Sequence, residues 1–431
     1  MKISHITIGI LAWLSQSAFA SDVLTLEQCY NEAESNYPLT IQRGLLQKSE
    51  QFNLSNAAKG WLPQVSVNAQ ASYQSDVTQL PFDTEALNRF FPGTKVTNMS
   101  KDQYKVYAEV NQTIWDGGAI GATQKVTSAQ SALHHSQLDN ELYRLKKRVN
   151  QLYFGCLLQD ELIAQNRLLQ KELQTNIERI EAMIANGVAN QTDRESLEVE
   201  CLNAQQREKE LQASRKAYGA MLCSLIGRDA DSELSLTQPA NPVITNHEIN
   251  RPELSTFEAR KNVLDAQLKR INSAINPHIG AFVQGGYGRP GLNMLEDKFK
   301  PYYIIGARLS WNIGKLYTLK NDRNQIANSL NIVNAERETF LLNTRLQLIQ
   351  GNAEIKKLSD QMATDTEIIR LRGNIKKAAE VKLNNGVISV SDMIREINAE
   401  DLAKQNSLTH HILYLKAVYD YLDESGEGWN N

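Results

Sequence analysis

Three groups of residues in this 431-residue sequence have types and spacings that could support chemistry. Gly286, Gly288 and Gly291 match G-x-G-x-x-G, the pattern with which a tight turn and a helix N-terminus cradle a pyrophosphate. The run before it alternates like a strand, Pro290 interrupts it and no helical pattern follows, so a hairpin loop is the better reading. His134-His135 and His410-His411 could ligate a metal only if both members of a pair converged on one ion. Neighbours in a helix point about 100° apart, so these are read as solvated histidines. The third group is charged: Thr192-Asp193-Arg194 and Ser391-Asp392, with Arg395, follow two Asn-Gly-Val turns. Clustered carboxylates repel, raise one another's pKa and attract cations, and the arginines are the nearby counter-charges. There is no G-x-S-x-G, no C-x-x-C and no nucleotide-binding loop. The chain reads as a non-enzyme, with no cofactor and no metal site.

The helix and turn breakers indicate which elements hold these residues. All ten prolines fall within residues 38–92 or 239–301, which leaves 93–238 and 302–431 free of them and points to very long helices. With 46 Lys+Arg against 49 Asp+Glu, a formal charge of −3 argues against a nucleic-acid binder. No apolar run approaches the ~18 residues of a membrane-spanning helix, so a bilayer would be crossed here only by strands. Residues 1–20 contain Lys2, an apolar stretch over 6–14 and Ala18-Phe19-Ala20 before Ser21. They read as a cleaved secretory signal peptide without a lipid-attachment cysteine.

The sequence repeats itself. Asn36-Tyr37-Pro38 returns as Asn250-Arg251-Pro252, and Pro63 as Pro277, at an offset of 214 residues. Asn186-Gly187-Val188 with Thr192-Asp193 returns as Asn385-Gly386-Val387 with Ser391-Asp392, at an offset of 199. Ordered agreement of this kind predicts two homologous halves, with the length difference in the loop of residues 74–103 against 288–301. Each half is expected to hold two strands and three helices. Residues 64–73, 104–115, 279–287 and 303–313 alternate with period two, each near the ~9 to 11 residues of a tilted membrane strand. Alternation alone fits a half-buried soluble sheet equally well.

The helical segments favour the membrane reading. Residues 118–186 would form a helix ~100 Å long, matched by 315–385, which implies an elongated molecule. Leu138, Leu142, Leu145, Val149, Leu152 and Cys156 follow 4,3 spacing, a coiled-coil seam. A helix returning after the Gly187 turn to about residue 227, and another over residues 391–423, would close two hairpins. Folding the first hairpin places Cys156 opposite Cys223, a buried contact in which a disulfide is left open. Four strands cannot close a membrane barrel, so strands that span a membrane require oligomerisation. Ser66, Asn68, Gln70, Ser72, Asn111, Thr113, Arg308, Ser310 and Asn312 would then face a wet lumen.

Leu24-Thr25-Leu26-Glu27-Gln28-Cys29, Gly60-Trp61-Leu62-Pro63-Gln64, Gln112-Thr113-Ile114-Trp115-Asp116-Gly117-Gly118 and residues 187–193 closely resemble motifs of TolC-like outer-membrane efflux channels. The resemblance covers essentially the whole mature chain. It implies a mainly α fold with membrane β-strands, in which two repeats form long helical hairpins. A homotrimer would give a twelve-stranded β-barrel in outer-membrane lipid of a Gram-negative bacterium, continued by an α-helical barrel through the periplasm. The implied domains are a signal peptide (1–20), repeat one (21–228), an equatorial linker (229–250), repeat two (251–423) and a tail (424–431).

The same resemblance makes the two turns the periplasmic tips, where the tunnel closes and a periplasmic adaptor docks beneath an inner-membrane transporter. The tip residues are Gly187, Val188, Thr192, Asp193, Gly386, Val387, Ser391, Asp392 and Arg395. Some members carry an Arg two residues after the second tip glycine and an Asp nine after it. Ile388 and Arg395 stand there in this chain, so those members' salt bridges do not transfer. Arg395 is expected to pair with Asp392 at i, i+3 or with Asp193 across the mouth. The function implied is a passive exit duct of a tripartite pump or type I secretion system. The competing readings are a periplasmic coiled-coil adaptor or chaperone without a barrel, and an outer-membrane enzyme or receptor merely anchored by one.

Overall fold

The computed structural model describes residues 23–78, 89–90, 99–232, 234–244, 248–294 and 296–427. The expected signal peptide and most of the 74–103 loop lie outside these residues. The elements in chain order are β1 (Val23–Leu24), α1 (Leu26–Asn36), α2 (Ile41–Ala58), β2 (Gln64–Tyr73), β3 (Asp102–Trp115), α3 (Ala119–Ala185), α4 (Gln191–Ile226), β4 (Ser235–Leu236), α5 (Glu253–Ser273), β5 (His278–Arg289), β6 (Lys300–Ser310), α6 (Leu316–Asn384) and α7 (Val390–Ser425). The fold is mainly helical. The series helix, strand, strand, long helix, 36-residue helix runs twice, with long helices of 67 and 69 residues. No described helix is long and apolar enough to cross a membrane.

The chain divides into two compact units. One comprises Ile41–Asn140 and Pro252–Leu342 and is built on a four-stranded antiparallel sheet in the order β2-β3-β5-β6. Register fixes its two faces. Val67 pairs with Ala108, Ala108 with Gly285, and Gly285 with Tyr303, one row of an apolar face. Asn68 pairs with Tyr107, Tyr107 with Gly286 and Gly286 with Tyr302 on the opposite, more polar face. A Cβ on Gly286 would meet the Tyr107 Cβ at 2.6 Å and the Tyr302 ring at 2.9 Å, so only glycine fits between those two side chains.

Two features of the sheet depart from the sequence reading. A bulge shifts the register between Thr113 and Trp115, so that Trp115 pairs with Ile279 on the apolar face and Ile114 is left over. The last strand ends at Ser310, not at residue 313. Asn312, expected among the strand residues, lies outside the ladder and precedes the 3-10 turn Ile313–Lys315.

The strand-to-helix corner explains one of the sequence motifs. Asp116 is buried, and its carboxylate accepts from Gly118 N at 2.9 Å and from Ile120 N, capping α3. Gly117 has φ +67°, and a Cβ there would lie 2.5 Å from the Asn276 Cβ, whose amide donates to Gly117 O at 2.7 Å. The Asp-Gly-Gly run therefore turns the chain and caps the helix where α5 approaches.

The other unit comprises Met1–Thr40, Glu141–Arg251 and Asn343–Asn431. Leu145, Val149, Leu152 and Cys156 of the seam are all buried in one cluster with Tyr153 and Phe154, against Leu26 and Cys29 of α1 and Leu222 and Cys223 of α4. Thr25 and Gln28 form a reciprocal capping box on α1. Cys156 and Cys223 share this core, with Cys29 beside them, and all three are free thiols. Burial pushes Cys29 and Cys156 up to about 12 and also raises Cys223, so the buried trio stays protonated and unreactive. His410 is not simply solvated: its Nδ1 lies 2.8 Å from the buried Asp365 carboxylate, while His411 meets the Gln238 amide at 2.6 Å. No group of metal-ligating side chains occurs among the described residues.

Candidate functional site

The two Asn-Gly-Val turns are built alike. Val188 N donates to Met183 O at 2.9 Å and Gly187 N to Ile184 O at 2.9 Å; Val387 N to Lys382 O and Gly386 N to Leu383 O repeat both distances. Each is a Schellman closure, which needs its C′ residue left-handed, and Gly187 and Gly386 both sit at φ +69°. Nothing lies within 4 Å of a Cβ built on either glycine, so backbone conformation and not space selects them. Asn186 and Asn385 each turn a side-chain amide back to the carbonyl four residues earlier, both at 2.8 Å.

The carboxylates close the next helices. Asp193 N donates to Asn190 Oδ1 at 2.9 Å and Asn190 N to Asp193 Oδ2 at 3.1 Å. Asp392 N donates to Ser389 Oγ at 3.1 Å and Ser389 N to Asp392 Oδ2 at 3.2 Å. Both are reciprocal capping boxes, with Asp in place of the usual Glu or Gln. The N-caps are thus Asn190 and Ser389, not the neighbouring Thr192 and Ser391, which are exposed. An Asn or Ser three residues before each Asp was the sequence signal for them.

Bonds from Ser389, first its side chain and then its backbone, hold Asp392 below the usual carboxylate range, and Arg395 adds to this. Arg395 Nη2 bonds Asp392 Oδ1 at 2.8 Å, the i, i+3 pairing expected, with Glu396 at 3.8 Å. Arg194 instead spans its turn, with Nε 2.8 Å from Glu181 and Nη2 2.7 Å from Glu198.

Beneath the turns the ends of all four helices share one core, in which Ile180, Leu197, Leu383, Val390, Met393 and Ile397 are buried. Val188 and Val387 stay outside it, 62% and 69% exposed. Farther along the hairpins, Lys376 of α6 reaches Glu172 of α3 at 2.6 Å and also Glu400 of α7. Burial pulls the Lys376 ammonium down, but the bonds from both carboxylates outweigh it and the net shift is upward. The sequence did not point to this triad, because its members are brought together only by packing of helices far apart in the chain.

In the sheet unit, Ser66, Asn68, Gln70 and Ser72 of β2 share the polar face with Asn111, Thr113, Arg308 and Ser310 by register. In β3, β5 and β6 the large side chains on the apolar face are mostly exposed, Tyr303 at 75% and Ile305 at 68% among them, and Arg308 and Ser310 at the end of the polar face are exposed too. Tyr107, Phe282, Gln284, Tyr302 and Ile304, on the polar face, are partly covered.

Residues 40–228 match the family model of outer membrane efflux protein. No curated protein matches the sequence. Among solved structures the fold is similar to that of the outer membrane protein VceC from Vibrio cholerae, at TM-score 0.68 and 12% identity, covering 94% of this chain and 96% of that one. It is similar to the Campylobacter jejuni CmeC outer membrane channel at 0.65 and 12%, covering 99% and 94%. It is likewise similar to the open state of the Neisseria gonorrhoeae MtrE outer membrane channel, at 0.65 and 14%, covering 94% and 89%. Residues 40–228 thus match the outer membrane efflux protein family by sequence, and over more than nine-tenths of its length the chain has the fold of these outer membrane proteins.

Proposed function

We propose that this chain forms the outer-membrane channel-tunnel of a tripartite efflux pump or type I secretion system, a passive duct whose energy comes from an inner-membrane transporter. The observation that carries it is the sheet. Its apolar face carries large exposed side chains, among them Val67, Val106, Val283, Tyr303 and Ile305, while Tyr107, Phe282, Tyr302 and Ile304 on the polar face are partly covered. That is the reverse of a soluble half-buried sheet and the pattern of a membrane barrel wall. Strands β2 and β6 are open edges, which lipid forbids. Three copies would close a twelve-stranded barrel around the polar face, and the fold of the family's channels supports that assembly.

In this reading residues 1–20 are a leader, 21–228 and 251–423 the two repeats, and 229–250 with 424–431 an equatorial belt. The turns at Gly187 and Gly386 are the periplasmic tips where an adaptor docks. Threefold symmetry would gather Asp193 and Asp392 with Arg395 at the closed end. The test is conductance of the detergent-purified trimer in a planar bilayer. Discrete, cation-preferring openings that become larger or more frequent in Arg395→Ala support a duct closed at the tips. Wild-type conductance unchanged by Arg395→Ala removes Arg395 from the gate. No conductance from a folded trimer, retained without detergent, favours a periplasmic coiled-coil protein instead.

A further inference from the structure

At the helix-connected end of the polar sheet face lies a recess of about 460 Å³, bounded by β3, β5, β6 and the start of α3. Its one permanent cation is Arg308, whose guanidinium sits over the Phe282 ring, 4.8 Å from the centroid. Gly306 makes room for this ring, since a Cβ there would lie 2.9 Å from it. No described carboxylate pairs with Arg308. Asp116, the one acid lining the recess, is buried with both oxygens committed to helix N–H groups. The next acid on this face, Glu109, is four residues up β3 from Thr113, roughly 13 Å at strand rise, more than a Debye length at physiological salt. The guanidinium is therefore held by its flat face and leaves its N–H edge unused, the geometry that takes a carboxylate in a two-bond fork. Asn111, Thr113 and Ser310 add hydrogen-bonding groups around it, and Phe282 and Ile120 add apolar wall.

We propose that Arg308 and Phe282 form a binding station for small organic carboxylates on the wall of the duct. The site rests on the duct reading for its role in transit, though not for its chemistry. A trimer would carry three such guanidinium groups at one level, so the strand section attracts anions, opposite in sign to the carboxylates of the tips. Organic anions with an apolar body are then the solutes that dwell in passage.

Benzoate serves as the probe, and benzyl alcohol as the same ring without the charge. In bilayers, millimolar benzoate is expected to reduce or interrupt the wild-type KCl current, while benzyl alcohol does not. Arg308→Gln is expected to raise the half-blocking benzoate concentration by about tenfold or more, with Arg308→Lys between the two, because a lysine keeps the charge and loses the fork. Binding to the detergent-solubilised trimer, read by saturation-transfer NMR, separates the site from the duct. Arg308-dependent binding by a protein that does not conduct keeps the site and sinks the duct. Conduction with equal benzoate block in wild type and in either folded Arg308 variant, or equal effects of benzoate and benzyl alcohol, overturns the site and leaves the duct standing.

Discussion

Arg395 and Asp392 are joined at 2.8 Å within a single helical turn, and the same carboxylate is bonded by Ser389 through both its backbone N–H and its hydroxyl. The capping bonds rank ahead of the arginine in holding Asp392 below the usual carboxylate range. Ser389→Ala is therefore expected to raise the Asp392 pKa more than Arg395→Ala does. A carboxyl whose pKa is depressed on folding contributes stability above its unfolded value of about 3.8 and loses it as pH falls through the folded value. The turn at Gly386 should loosen only in that acid range. Methyl NMR of Val387, followed from pH 6 to 3, would show the transition moving up in both variants and farther in Ser389→Ala. An equal or reversed order would reject the capping account.

Gly187 and Gly386 should both be replaceable at the cost of backbone strain alone. With open space around either Cβ position, alanine should cost about 1 kcal/mol through its left-handed φ, and asparagine less. Local opening governs amide exchange at a hairpin end, and 1 kcal/mol is about a fivefold faster rate. Hydrogen exchange over residues 180–195 in Gly187→Ala should rise by that factor, with Gly187→Asn closer to wild type. No change in Gly187→Ala would mean the turn does not need φ > 0.

How much of this was legible in sequence depends on the range of each interaction. Alternation over residues 64–73 fixes the strand Gln64–Tyr73 and its faces, because period two survives any partner. Gly187, Gly227 and Gly386 mark helix ends because a left-handed residue stops a helix locally. The bulge near Ile114 is not legible, since it depends on which strand pairs with Trp115. His410 with Asp365, and Lys376 between Glu172 and Glu400, are pairings across helices whose rotation no single-helix pattern specifies.

Lys376 should be the most sensitive charged position in the hairpins. It is 13% exposed and Glu400 10%, so deleting the cation leaves Glu172 without this partner and Glu400 with Lys404 as its remaining cation, in a part-buried setting. Breaking a buried pair from one side costs about 3 kcal/mol, more than the pair contributes in net stability. Lys376→Met is expected to lower the thermal midpoint markedly, and adding Glu400→Leu should recover part of the loss. A double variant worse than the single by the full cost of each would show that the triad is not one coupled unit.

Asp423 should make the same helical unit less stable as pH rises toward neutral. Its Oδ2 accepts from Asn150 Nδ2 at 2.6 Å, Asn150 Oδ1 in turn accepts from Tyr30, and Asp420 and Glu424 lie nearby. Burial, with the repulsion of those two acids, lifts its pKa from 3.8 to about 7 against the pull of Lys146 and Lys147. Between those values the folded chain holds a proton that the unfolded chain has released, so stability falls with rising pH across that window. At 1.36 kcal/mol per unit the full loss is of the order of 4 kcal/mol, complete above about pH 7. Asp423→Asn keeps the shape and the acceptor for Asn150 without the charge. It should therefore melt close to wild type near pH 4, somewhat above it at pH 5 and well above it at pH 8. A difference between the two proteins that stays constant from pH 5 to 8 would mean that Asp423 is already ionised throughout, its charge met by the lysines beside it.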